Sequence, residues 1–261
     1  MHESASKGFG EHGQWLNALQ PYIPDWAHGF VDPVVITGWL VILFVAVLAY
    51  VGGRDLKRVP RGLQNAWEIG ITALQGLSRQ MVGPGGERYA PLLTTIFVYV
   101  FFNCVIGLVP GFVAPNSTLN STAAPAIVVF FAVQYFGFRE QGWQYLKHFT
   151  GDVWLLSPIM IAVHLIGELA KPLSLSVRLF GNTFGDDTLV AEFTKLSAQL
   201  MHSIWVPLPL QLPFLFLALF IAFIQAVVFV MLTAAYINMA TTHEEDGQGT
   251  ADEAAEARQA A

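Results

Sequence analysis

Apolar runs long enough to cross a bilayer alternate with polar punctuation along this chain. The first, residues 31–52, centres on Val34 to Val51 and is close to the roughly 20 apolar residues that a helix needs to cross a hydrocarbon core about 30 Å thick. Trp26 and Trp39 flank its start as an aromatic belt would, Gly52 and Gly53 end it, and Arg54, Lys57, Arg58 and Arg61 follow at once. Residues 63–82 are mixed in polarity, with Trp67, Ile71, Leu74 and Leu77 at helical spacing, which predicts an amphipathic helix lying along the surface. The runs 91–113 and 123–138 flank the polar turn Asn116 to Thr122 and read as a membrane hairpin. A connector with Arg139, Glu140, Lys147 and His148 leads to a long, partly polar segment, 157–197, and the last run, 210–240, is entered through Pro207, Pro209 and Pro213. The expected fold is all-α and polytopic, with about five membrane helices and one surface helix in a single membrane domain, residues 1–242.

Composition supports lipid as the surrounding medium. Of the 261 residues, 54% are hydrophobic and 12% charged, whereas a soluble domain carries about 25% charged residues. The net charge of -6 is unevenly placed: six acidic residues lie between Glu244 and Glu256 against the single base Arg258. Residues 243–261 are therefore expected to be a disordered acidic tail. The single cysteine, Cys104, excludes intramolecular disulfides and Cys-based metal sites. No Gly-rich phosphate loop or zinc-type His spacing is visible, so no cofactor, nucleotide or nucleic acid is expected to bind this chain. The first 30 residues lack a basic region followed by a short apolar core, so the first span is read as its own insertion signal. Asn116-Ser-Thr and Asn120-Ser-Thr match glycosylation sequons, but turn chemistry accounts for them.

Basic residues orient the spans. Arg54, Lys57, Arg58, Arg61, Arg79, Arg88, Arg139 and Lys147 fall on one side of an alternating five-span arrangement, and only Lys7 and Lys195 on the other. That eight-to-two split predicts an outside N-terminus and a cytoplasmic C-terminus.

The chemistry concentrates in His164 to Asp187. Charged groups inside a span cost several kcal/mol and normally line an ion or substrate path. With Arg178 at the zero of a wheel of about 100° per residue, Lys171 falls near 20°, His164 and Asn182 near 40°, Glu168 and Asp186 near 80° and Ser174 near -40°, while Asp187 points about 180° away. One face thus carries a ladder of ionisable and hydrogen-bonding side chains about 33 Å long. Lys171 also has a plainer reading, as the partner of Glu168 with its ammonium snorkelling to headgroups. Asp186 and Asp187 could likewise be solvated at the outer mouth. Arg178 has no such escape: it sits among Leu175, Val177, Leu179 and Phe180, and its guanidinium stays charged. With no acid within a turn, its partner is expected on another helix or subunit. Pro172 frees the carbonyl of Glu168, and predicts a kinked helix beside a hydrated cavity. In the last span Gln225, Tyr236, Gln211 and Thr233 share a face, and Gln225 is placed to meet Asn182 or Arg178.

The segment KPLSLSVRLFGN, Lys171 to Asn182, strongly resembles the signature of subunit a of bacterial F-type ATP synthases. The Asn103 to Pro110 segment, the turn from Pro115, and FIQAVVFVMLTAAYI, Phe223 to Ile237, extend the resemblance over most of the chain. It implies that Arg178 is the essential arginine facing a ring of c subunits, with Asn182 and Gln225 beside it. Asp187 takes the position of a proton-relaying acid or histidine, and His164 the position associated with a second aqueous channel. The chain departs at Ala218, where many relatives carry His or Glu, and at Ile106, where some carry Asp. The outer path is therefore expected to lean on Asp186, Asp187 and water, and the inner one on His164 and Glu168, with Ser174 and Tyr236 on the polar faces. The resemblance further implies a tilted hairpin of the last two segments against the c-ring, and a peripheral-stalk subunit b as a second partner. The chain would be a non-catalytic but essential subunit in the bacterial plasma membrane. The rival expectation is a secondary transporter or ion channel that binds an anionic substrate at Arg178.

Overall fold

A computed structural model of the protein describes residues 32–54, 62–83, 85–109, 112–142, 157–204 and 211–241. The basic cluster 57–61, the connector around Lys147, Trp26, the Pro207–Pro209 entry and the acidic tail lie outside the described residues. The described chain is helical: α1 (Pro33–Arg54), α2 (Leu63–Val82), α3 (Ala90–Gly107), α4 (Leu119–Gln141), α5 (Ser157–Ile204) and α6 (Gln211–Thr241), with 3-10 turns at Gly86–Tyr89 and Pro115–Ser117.

Local chemistry sets the ends. Pro91 stands in the first turn of α3, where its missing N–H costs nothing. The Thr118 hydroxyl caps α4 by accepting from the Ser121 N–H at 3.4 Å. Gly142, at φ 56°, ends α4 in the left-handed region, with its N–H donated to Phe138 O at 2.8 Å. Beyond α3 the chain folds back so tightly that a Cβ on Gly107 would lie 2.6 Å from Ala114 Cβ. These signals override hydropathy at the helix ends, so α3 stops at Gly107, inside the apolar run 91–113, and α4 begins at Leu119, within the polar turn ahead of the run 123–138.

Among the described residues, four helical segments are long and apolar enough to cross a membrane: Val34–Val51, Gly86–Gly107, Leu119–Gln141 and Leu212–Thr241. α5 is long enough but too polar to qualify. Its 48 residues amount to about 72 Å, which cannot stand upright in a core about 30 Å thick. α5 stays helical through Pro172, without a break.

The organising element is α6, which packs against α2, α3, α4 and α5. Its inner face is built from small residues, Ala218, Ala222, Ala226, Ala234 and Ala240, with Phe229, Val230 and Ile237 filling the gaps. Small side chains let helix axes approach closely, and in lipid that van der Waals fit replaces the hydrophobic drive. α3 and α4 are consecutive and antiparallel, yet they meet mainly at their ends, because α6 lies between them. At one end Tyr89 packs edge-on against Phe136 and Arg88 pairs with Glu140 at 2.9 Å. At the other, Asn116 donates to Cys104 Sγ at 3.6 Å.

Leu179, the neighbour of Arg178, has no exposed surface. Leu179→Ala is expected to cost about 2–5 kcal/mol through the cavity it leaves, whereas Ile166→Ala on the outer face should change stability by about 0.5 kcal/mol or less. Thermal unfolding of the purified protein in detergent checks both.

Candidate functional site

Several polar residues of α5 face α4 and α6 along an antiparallel seam with regular rungs. Lys171 Nζ sits 5.5 Å from the centre of the Tyr236 ring. Asn182 Nδ2 donates to Gln225 Oε1 at 2.7 Å. Phe193 stacks on Phe214 with ring centres 3.6 Å apart. Each rung lies eleven residues from the next on both helices, about 16 Å along the axis. Eleven residues are close to three full turns, so every rung returns to the same face of both helices.

At the end nearest Tyr236, Glu168 is held from two sides. Lys171 forms an ion pair with Oε1, and Gln134 on α4 donates to Oε2 at 2.9 Å. Both charged side chains are about four-fifths buried, with 19% and 18% of their surface exposed. Lys171 therefore folds inward over Tyr236 instead of snorkelling outward. A crevice of about 10 Å³, enough for about one water, opens here between Glu168, Lys171, Pro172, Phe130 and Tyr236. His164 is half-buried one turn earlier.

At mid-seam Gln225 is 3% exposed, and its Nε2 has no hydrogen-bond partner among the described residues. The buried hydroxyls of Ser176 and Thr122 meet at 3.2 Å and tie α5 to α4. Towards the other end Asp186 and Asp187 are both half-buried, within electrostatic reach of Cys104 on α3, which also neighbours Thr183 and Asn116. The wheel set Asp187 opposite the ladder. The fold nevertheless brings it in, because the packed face of α5 runs through Leu175, Leu179, Ser176 and Thr183, between the ladder and Asp187.

Arg178 stands apart from these groups. It is exposed, and makes no hydrogen bond or ion pair among the described residues. Ser174 is exposed on the same side. Around them run Gly167, Ala170, Gly181 and Gly185, and a Cβ built on any of these three glycines would meet nothing within 4 Å. The residues expected from sequence thus divide. Glu168, Asn182, Gln225 and Tyr236 line the seam, Asp186 and Asp187 are half-buried near Cys104 on α3, and Arg178 and Ser174 face away from the helices described here.

Gln134, Cys104 and Asn116 join these clusters without having been singled out as site residues. Gln134 occupies an interior position of an apolar run and carried a polar signal; Asn116 was accounted for as turn chemistry. Of the departures noted in the sequence, Ala218 is buried on the inner face of α6.

Residues 35–238 match the family model described as ATP synthase A chain. This chain belongs to the ATP synthase subunit a family. It is 40% identical to ATP synthase subunit a 1 of Syntrophotalea carbinolica over 210 residues, covering 80% of this chain and 86% of the relative. It is 39% identical to ATP synthase subunit a of Protochlamydia amoebophila, covering 81% and 80%. The subunit a of Geobacter sulfurreducens is 38% identical, covering 76% and 83%. A subunit a is a membrane component of the ATP synthase complex, and the helices and bacterial relatives place this one in a bacterial membrane.

The Asn182–Gln225 rung should behave as a coupled pair. Asn182→Ala and Gln225→Ala are each expected to lower the unfolding midpoint. The double variant should fall short of additivity by roughly 0.6–2 kcal/mol, the range of interhelical hydrogen bonds in membranes. A double-mutant cycle on thermal stability measures it.

Proposed function

We propose that this chain is the proton-translocating stator of a rotary ATP synthase and that Arg178 separates two offset half-channels serving the carboxylates of a c-ring. The observation that carries the reading is the guanidinium of Arg178, exposed on the outer face of a packed bundle with no partner among the described residues. An obligate cation in lipid needs a counter-charge, and a passing carboxylate supplies one. The small residues around Arg178 suit a moving partner, since they allow another helix to come close. An internal anion site, which a transporter would need, would enclose the arginine.

The outer path runs by Asp186, Asp187, Cys104 and Asn116 to the Asn182–Gln225 rung, where Gln225 Nε2 has no partner among the described residues. The inner path runs by Ser174 and Tyr236 to Glu168 and His164. A proton from outside neutralises a ring carboxylate, and the ring turns. A carboxyl arriving from the other side releases its proton inward and pairs with Arg178. The fixed positive charge repels a proton that would pass straight between the paths. Each charge crossing supplies about 2.3 kcal/mol per 100 mV, so several are summed per ATP. The N-terminus lies outside, the C-terminus in the cytoplasm, and a subunit b of the peripheral stalk holds the chain against rotation.

Arg178→Ala is expected to abolish proton-driven ATP synthesis in membranes that retain the complex, while Leu43→Ala on the outer face of α1 leaves it unchanged. Near-normal synthesis with Arg178→Ala would overturn the assignment. Gly181→Leu tests the close approach separately: it should slow ATP synthesis without reducing the amount of this chain in the membrane.

A further inference from the structure

The buried ion pair at the inner end of the seam is poorly explained by stability. Desolvating two charges costs about as much as their attraction returns, and apolar replacements of buried pairs are often neutral or stabilising. Glu168 and Lys171 are nevertheless four-fifths buried in a helix that must lie in lipid. Three further features surround the pair, one of them on the carboxylate itself. Gln134 from α4 occupies its second oxygen at 2.9 Å. Tyr236 from α6 caps the ammonium. Pro172, having no N–H, leaves the Glu168 carbonyl without its helical donor, and lines the water-sized crevice beside it. A carboxylate offers about four lone-pair sites, so one ion pair and one hydrogen bond leave room for a proton.

We propose that Glu168 is the proton-transfer group of the inner path, and that Lys171 is a positioning residue that holds it against the crevice. This rests on the stator reading and assigns that path's chemistry. A carboxyl on the ring gives its proton to water in the inner path. That water passes a proton to a free lone pair of Glu168, and the O–H bond formed there breaks again as the proton leaves to water on the inner side. The carboxylate then regains its full pairing with Lys171. The net change is one proton moved from a ring carboxyl to inner water, and ATP-driven pumping runs the same steps in reverse. The groups around Glu168 are His164 and Lys171 on α5, Gln134 on α4 and Tyr236 on α6. Lys171→Met leaves the carboxylate without the cation that orients it, while Lys171→Arg keeps that cation.

The test is ATP-driven acidification of inverted membrane vesicles, with rates normalised to the amount of intact complex. Glu168→Gln is expected to slow pumping roughly 10-fold or more, the low side of what removing a positioned proton-transfer group costs. Lys171→Met should slow it clearly as well, and Lys171→Arg should restore most of the rate. The double variant Glu168→Gln/Lys171→Met should pump no more slowly than Glu168→Gln alone, because Lys171 acts only through Glu168. Glu168→Asp, which keeps a carboxylate, should outpace Glu168→Gln and serves as the comparison if the amide variant assembles poorly. Wild-type pumping by Glu168→Gln overturns the proposal. Equal losses for Lys171→Arg and Lys171→Met, or independent losses in the double variant, overturn the role of Lys171. Failure of the stator reading would show instead as coupled activity surviving Arg178→Ala.

Discussion

A guanidinium cannot shed its charge, and in a membrane helix that constraint dictates what must surround it. Glu168 and Lys171 answer the same cost by pairing with each other, and Asn182 and Gln225 by sharing a hydrogen bond. Arg178 has neither solution among the described residues. The bundle leaves it outward, with small residues on its flanks and the packed core behind it. Its electrostatics are completed by whatever comes to that face, which is why a subunit of a larger membrane complex is the natural home for such a chain.

Holding an arginine outward while keeping polar groups inward requires a tightly defined α5–α6 register. The eleven-residue rungs supply it: an ion-and-ring contact, an amide pair and an aromatic stack, each on the same face of both helices. A slip of one residue would turn each rung by about 100° and expose the amide pair to lipid. The alanine face of α6 sets the depth of packing, since larger residues there would push α3, α4 and α5 apart. Buried hydroxyls between Thr122 and Ser176 add a lateral tie, so α5 is gripped from both α4 and α6.

The two ends of the seam differ chemically. At one end the acid is paired with a cation and an amide, with a ring over the cation and space for about one water beside it. At the other, two acids lie beside a thiol and an asparagine of the α3–α4 turn, with no basic residue among the neighbours described there. On the proposed two-path reading, proton entry and release are different tasks, and these dissimilar surroundings suit that division.

Much of this was legible in the order of residues. The 20-residue hydropathy blocks, the polar ladder on α5, the isolation of Arg178 and the KPLSLSVRLFGN motif depend only on local spacing. They determined the all-helical membrane class and the family, and they singled out Arg178. The tertiary structure decided which way each polar group faces. A helical wheel measures angles within one helix and carries no information about where neighbours lie, so Asp187 read as pointing away although the packed face extends to it. Lys171 could pair with Glu168 and snorkel to headgroups or stand on the inward polar ladder, until Tyr236 and Gln134 were brought in from helices distant in sequence. The runs of α3 and α4 read as a membrane hairpin, and hydropathy could not show that a third helix, α6, packs against both arms. Local spacing determined what the chain must accommodate, while long-range packing decided how, because cross-helix contacts depend on register and depth that no single stretch encodes.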